Sequence, residues 1–151
     1  MNPRLPLHVP QRMAEHESAQ LKARLFDVDQ DLERCDAELA GLRRRLVQTL
    51  ADAGSSVREG GGVMPGALML WRAQARSLQL AQVTLEQQRE LLVEQRREIQ
   101  EALAAGLVTM KTIDAYHRRL VELAARLTAK RQQSALDELM AARRGWQEPQ
   151  A

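Results

Sequence analysis

Aromatic side chains are scarce: Phe26, Trp71, Tyr116 and Trp146 are the only four in 151 residues. Compact cores are commonly built around bulky rings, so this chain can bury a seam but not a thick globular interior. The lone cysteine, Cys35, excludes an internal disulfide and offers no metal cluster. No apolar run approaches the ~20 residues of a membrane-crossing helix, and residues 1–20 lack the apolar core of a signal peptide. The expected location is therefore cytoplasmic, with no direct membrane insertion. Charge of one sign is also lacking, with 22 basic against 20 acidic residues. A dedicated nucleic-acid binder would carry a concentrated excess.

Catalytic patterns are missing as well. His8, His16 and His117 are dispersed, and no second histidine follows any of them four residues on. Gly60-Gly61-Gly62 is not followed by the Lys and Ser/Thr of a phosphate-binding loop, so it reads as a turn. Carboxylates such as Glu94 and Glu98 sit beside Arg97 in the pattern of a solvated helix face. The expectation is a non-enzymatic protein without metal or cofactor.

What the chain does have is a heptad pattern. Trp71, Leu78, Leu85, Leu92, Ile99, Ile113, Leu120 and Leu127 fall on one frame of seven, interrupted only by Gly106. Such a frame marks one long helix wound on a partner. The first half has its own register. Leu21, Leu25, Val28, Leu32, Cys35, Leu39, Leu42 and Leu46 alternate spacings of four and three. Cys35 occupies a seam position and reads as a small core side chain.

Proline and glycine divide these stretches. Pro3, Pro6 and Pro10 suggest a mobile tail over 1–10. The clusters Ala53-Gly54-Ser55-Ser56 and Gly60 to Gly66 suggest a loop over about 54–65, and Pro65 can open the following helix. The predicted helices run about 12–53 and about 66–144. The simplest fold is all-α: an antiparallel two-helix coiled-coil hairpin with unequal legs, the longer C-terminal helix projecting. Pairing outward from the loop brings the start of the first helix beside roughly residue 108, leaving about 35 residues beyond it. Gly106 could bend the longer helix, and Thr109 or Thr112 could cap a third helix from 112 to 144. The unbroken heptad frame favours continuity. The second seam position of the longer helix is read as Ala67, Gln74, Ala81, Gln88, Gln95 and Ala102.

The distal segment still carries a seam: Ile113, Tyr116, Leu120, Leu123 and Leu127. It is also basic, with eight cationic and four acidic residues between 111 and 144, against seven and nine between 11 and 53. An apolar, basic stripe without a mate in its own chain predicts one elsewhere. An acidic protein socket fits better than nucleic acid, because Asp114, Glu122, Asp137 and Glu138 interrupt the basic groups.

The run from Lys130 to Arg144, KRQQSALDELMAARR, resembles the C-terminal signature of the FliJ and YscO proteins, central-stalk components of flagellar and virulence type III export machines. Leu136, Asp137, Glu138, Leu139, Arg143 and Arg144 match that signature. A weaker likeness lies in the loop followed by Trp71 and by Leu85-Glu86-Gln87-Gln88-Arg89. The resemblance implies a stalk that enters a hexameric secretion ATPase, stimulates it, and links it to the membrane export gate and secretion chaperones. It would lie in the cytoplasm, peripheral to the inner-membrane export apparatus. Arg131, Leu136, Asp137, Glu138, Leu139, Arg143 and Arg144 would contact the ATPase. The flagellar members carry an aromatic-aliphatic cluster shortly after the Trp, where this chain has Arg76-Ser77-Leu78. Trp71, Leu80 and Val83 are the candidate gate or chaperone contacts. The competing expectation is a structural coiled-coil scaffold that self-associates through its distal seam.

Overall fold

The structure, a computed structural model, describes residues 8–58 and 65–147. These form two helices and no strand: α1, His8–Arg58, with 51 residues, and α2, Pro65–Gln147, with 83. The fold is a helical hairpin whose second leg is the longer. The chain divides into two units, one comprising Glu17–Ala105 and the other Met1–His16 with Gly106–Ala151.

Each helix boundary lies outside its expected position, for a physical reason. α1 starts at His8 rather than near residue 12. Pro10 therefore lies in the first turn, where its missing N–H has no helical acceptor to lose. α1 also continues through Gly54, Ser55 and Ser56 to Arg58. One glycine costs a helix only ~1 kcal/mol, and packing can offset that: Thr49 is buried and Ala53 half-buried. The chain reversal thus falls later than Ala53, and Gly60-Gly61-Gly62 and residues 1–7 lie outside the described residues. Pro65 opens α2, where a proline is best tolerated.

The unit Glu17–Ala105 is an antiparallel coiled coil. On α1 the covered positions run Ser18, Leu21, Leu25, Val28, Leu32, Cys35, Leu39, Leu42, Leu46, Thr49 and Ala53, alternating threes and fours throughout. On α2 they include Trp71, Leu78, Leu85, Leu92 and Ile99. The best-buried hydrophobic side chains are Leu39 at 4%, Ile99 at 5% and Cys35 at 5% exposure. Thr49 is the buried polar member of the seam, and its hydroxyl donates to the Arg45 carbonyl one turn back at 2.9 Å.

The second seam position of α2 differs from the sequence reading. Ala67 is half-buried as expected, but Gln74, Ala81, Gln88, Gln95 and Ala102 are exposed. The half-buried positions fall one residue later, at Ala75, Gln82 and Leu103; Arg89 and Arg96 continue that row but are exposed. Two cross-helix ion pairs lie along this row. The Arg89 guanidinium donates to Asp36 at 2.6 Å, and Arg96 approaches Asp29 at 2.8 Å. Arg43 and Glu86 extend the same side at 3.7 Å. As the α1 number rises the α2 number falls, which sets the antiparallel register. The Arg89 and Arg96 side chains are 45% and 47% exposed, at the rim of the seam.

In the other unit, α2 is continuous through Gly106. Thr112 caps no new helix there. Its hydroxyl donates to the Val108 carbonyl at 2.9 Å, the bond of a threonine inside a helix.

Candidate partner-binding surface

The seam of α2 ends at a definable place. Gly106, Met110 and Ile113 are half-buried, and every residue from Asp114 to Gln147 is exposed. Tyr116, Leu120, Leu123 and Leu127 continue the heptad frame but remain 54%, 38%, 52% and 57% exposed. Burial of this stripe against another surface would gain roughly 1.5–3 kcal/mol per side chain. Thr128 bonds only its own helix, to Ala124 at 2.8 Å.

The helix sorts the C-terminal candidates into two faces. Leu136, Leu139, Met140, Arg143, Arg144 and Gln147 line one shallow surface depression. The spacing of three, four and seven places these side chains over one another. Arg131 and Glu138, seven apart, stand together on the far side, and Asp137 lies between the faces. The resemblance had grouped all of them. Met140 and Gln147 belong to the apolar-basic face and were missed, although their offsets of four and eleven from Leu136 were readable. Trp71 is half-buried in the hairpin seam, whereas Leu80 and Val83 are exposed.

Charge is zoned within the hairpin unit. The ion pairs of Asp29 with Arg96 and Asp36 with Arg89 set residues 24–41 beside 84–101, and 42–58 beside 65–83. The first zone holds eleven acidic and five basic residues; the second, next to the turn, holds one acidic and six basic. This zoning escaped the sequence reading because it needs the pairing register.

The Cys35 thiol lies 3.4 Å from the Leu85 carbonyl oxygen. Burial, then the Asp36 and Glu38 carboxylates, raise its pKa above the ordinary 9.0, with Arg89 opposing them. It is protonated at neutral pH and poorly nucleophilic. The hydrogen bond from Arg89 to Asp36 strengthens the guanidinium's hold on its proton. Among the described residues no cluster of three or more His, Cys, Asp or Glu could hold a metal ion, and no helix is long and apolar enough to cross a membrane.

No family model, curated protein or solved structure matches this chain.

Proposed function

We propose that this protein is a non-enzymatic stalk of a type III secretion export apparatus, of the FliJ and YscO kind. The observation that carries the reading is the complete exposure of α2 from Asp114 onward, over a segment both apolar-striped and basic. Unequal legs, 51 and 83 residues, give a braced hairpin and a helix with an unspent binding face. The apolar-basic face of Leu136, Leu139, Met140 and Arg143 meets a hexameric secretion ATPase. Leu80 and Val83 on the hairpin serve an export gate or a secretion chaperone. The protein then acts in the cytoplasm at the export apparatus, without cofactor, nucleic acid or membrane insertion.

The test is addition of the full chain to its cognate secretion ATPase. Hexamer formation and hydrolysis rise, and the rise weakens with Leu136→Asp and Arg143→Glu. No response to the full chain removes the reading. The exposed stripe Tyr116, Leu120, Leu123 and Leu127 also suits a second copy of itself. Light scattering over a concentration series separates the two, since a persistent monomer sinks the scaffold.

A further inference from the structure

The two zones of the hairpin contain the same number of residues but differ in surface. The acidic zone exposes three large hydrophobics: Phe26, Leu91 and Val93. The turn-side zone exposes seven: Val47, Leu50, Val57, Met69, Leu70, Leu80 and Val83. The same zone has six arginines to one aspartate. Arg44, Arg72 and Arg76 form no ion pair with any described residue.

Five of these hydrophobics, with Arg72 and Arg76, are arranged on one face; Leu70, Leu80 and Arg44 lie on others. Leu50 and Val57 follow Arg43 by seven and fourteen residues, so they continue the row that carries Asp29, Asp36 and Arg43 on the bridged side of α1. Val47 lies one turn before Leu50. On α2, Arg72 lies fourteen residues before Glu86 and so continues the bridged row there. Met69, Arg76 and Val83 form the row beside it. Both helices therefore present a second stripe at coiled-coil spacing, on the same side of the hairpin. Over residues 69–83 it is ~20 Å long at ~1.5 Å per residue.

We infer that this face takes an acidic amphipathic helix of another protein, laid along the two legs as a third strand. The spacing of threes and fours fits knobs from a helix. The unpaired guanidiniums fit carboxylates flanking that helix's apolar seam. A lipid surface fits less well. Interfacial helices segregate charge from a bulky apolar face rich in Trp and Phe, whereas here Arg72 and Arg76 interleave with aliphatics and Trp71 is turned into the seam. A second copy apposing the same face would bring two strongly cationic zones together. Val83 belongs to the gate or chaperone contact proposed above, so the inference narrows that contact's chemistry, and it stands without the stalk reading.

The probe is a designed 21-residue helix, about 30 Å long and so able to span the whole stripe, with leucines at coiled-coil spacing and glutamates on its flanks. Fluorescence anisotropy with the full chain should show binding that weakens with salt. Leu50→Glu with Val83→Glu, and separately Arg72→Glu with Arg76→Glu, should each weaken it by about tenfold or more. Replacing the peptide's glutamates with lysine should do the same. Leu120→Glu with Leu127→Glu in the distal helix should leave it unchanged. The substituted positions in the hairpin are exposed, so far-UV circular dichroism should not move; if it does, Leu50→Ser with Val83→Ser makes the same comparison. The inference is overturned by absent binding, by equal binding of the lysine peptide, or by loss that maps to the distal pair. It is also overturned if these residues instead govern sedimentation with phosphatidylserine vesicles or dimer formation in light scattering. ATPase stimulation is read separately with the same variants, so loss of one reading leaves the other measurable.

Discussion

The hairpin unit and the distal part of α2 are written in the same heptad grammar, yet among the described residues only the hairpin seam is covered, while Asp114 to Gln147 are exposed. Ile99 and Leu127 occupy equivalent positions four heptads apart, but Ile99 is 5% exposed and Leu127 is 57% exposed. The difference teaches that heptad periodicity reports an intention to pair, not the presence of the partner. In the hairpin the partner is α1, whose Asp36 and Asp29 also pair with Arg89 and Arg96 of α2. In the distal segment the same kind of stripe is left available, with a basic surround.

The sharpest way to break this comparison is to truncate equivalent seam residues. Leu39→Ala and Ile99→Ala should each cost about 2–4 kcal/mol in urea unfolding, because each leaves a void in packed surroundings. Leu120→Ala and Leu127→Ala should stay within about 0.5 kcal/mol in the isolated protein, as exposed substitutions do. A large loss at Leu127 would mean that the distal stripe is already covered in solution.

A chemical probe sharpens the hairpin side. Cys35 should be alkylated at least about tenfold more slowly in the native protein than in urea at mildly alkaline pH, since a buried thiol is inert until the seam opens. Its folded pKa is raised above 9.0. The folded state therefore holds the thiol proton more tightly, and that contribution is complete below pH 9.0. It is lost as pH climbs through the raised value. Cys35→Ala should flatten this part of the alkaline stability profile.

At the junction, Gly106→Ala should raise stability by up to about 1 kcal/mol. A Cβ there meets no heavy atom within 4 Å and the helix runs through unbroken. A loss would indicate that α2 needs the glycine to bend. The smallest effect belongs to the cross-helix pairs. A double-mutant cycle on Asp36→Asn and Arg89→Gln should give about 0.5 kcal/mol, falling in ~1 M salt. The pair's worth is register rather than energy: charge reversal at both positions should preserve the alignment, whereas reversal at one should weaken it.

Much of the fold was legible from residue spacing. Leu21 to Leu46 and Trp71 to Ile99 named both covered stripes, and Pro65 named the start of α2. Helix ends were less legible. Pro10 and Gly54 look like breakers in isolation, but a first-turn proline loses no bond, and a glycine in a packed helix costs too little to end it. Within the candidate surface, the stripe Leu136, Leu139, Met140 and Arg143 follows from helical offsets alone. The turn-side basic face does not, because Leu50 and Val83 are 33 positions apart in the chain.

The amino-acid sequence by itself determined that this protein is two heptad-bearing helices, the second much the longer, with its cationic surplus toward the C-terminus. Spacing and side-chain chemistry are enough for that, since both act along a single helix. Only the packed hairpin fixed the rotation of α2, which covers Ala75, Gln82 and Leu103 rather than Gln74, Ala81 and Ala102. A seven-residue repeat fixes a stripe only to within one residue on either side. The choice between the sides rests on what the other helix offers, and here the α1 seam covers Ala75, Gln82 and Leu103 while Asp29 and Asp36 meet Arg96 and Arg89 beside it.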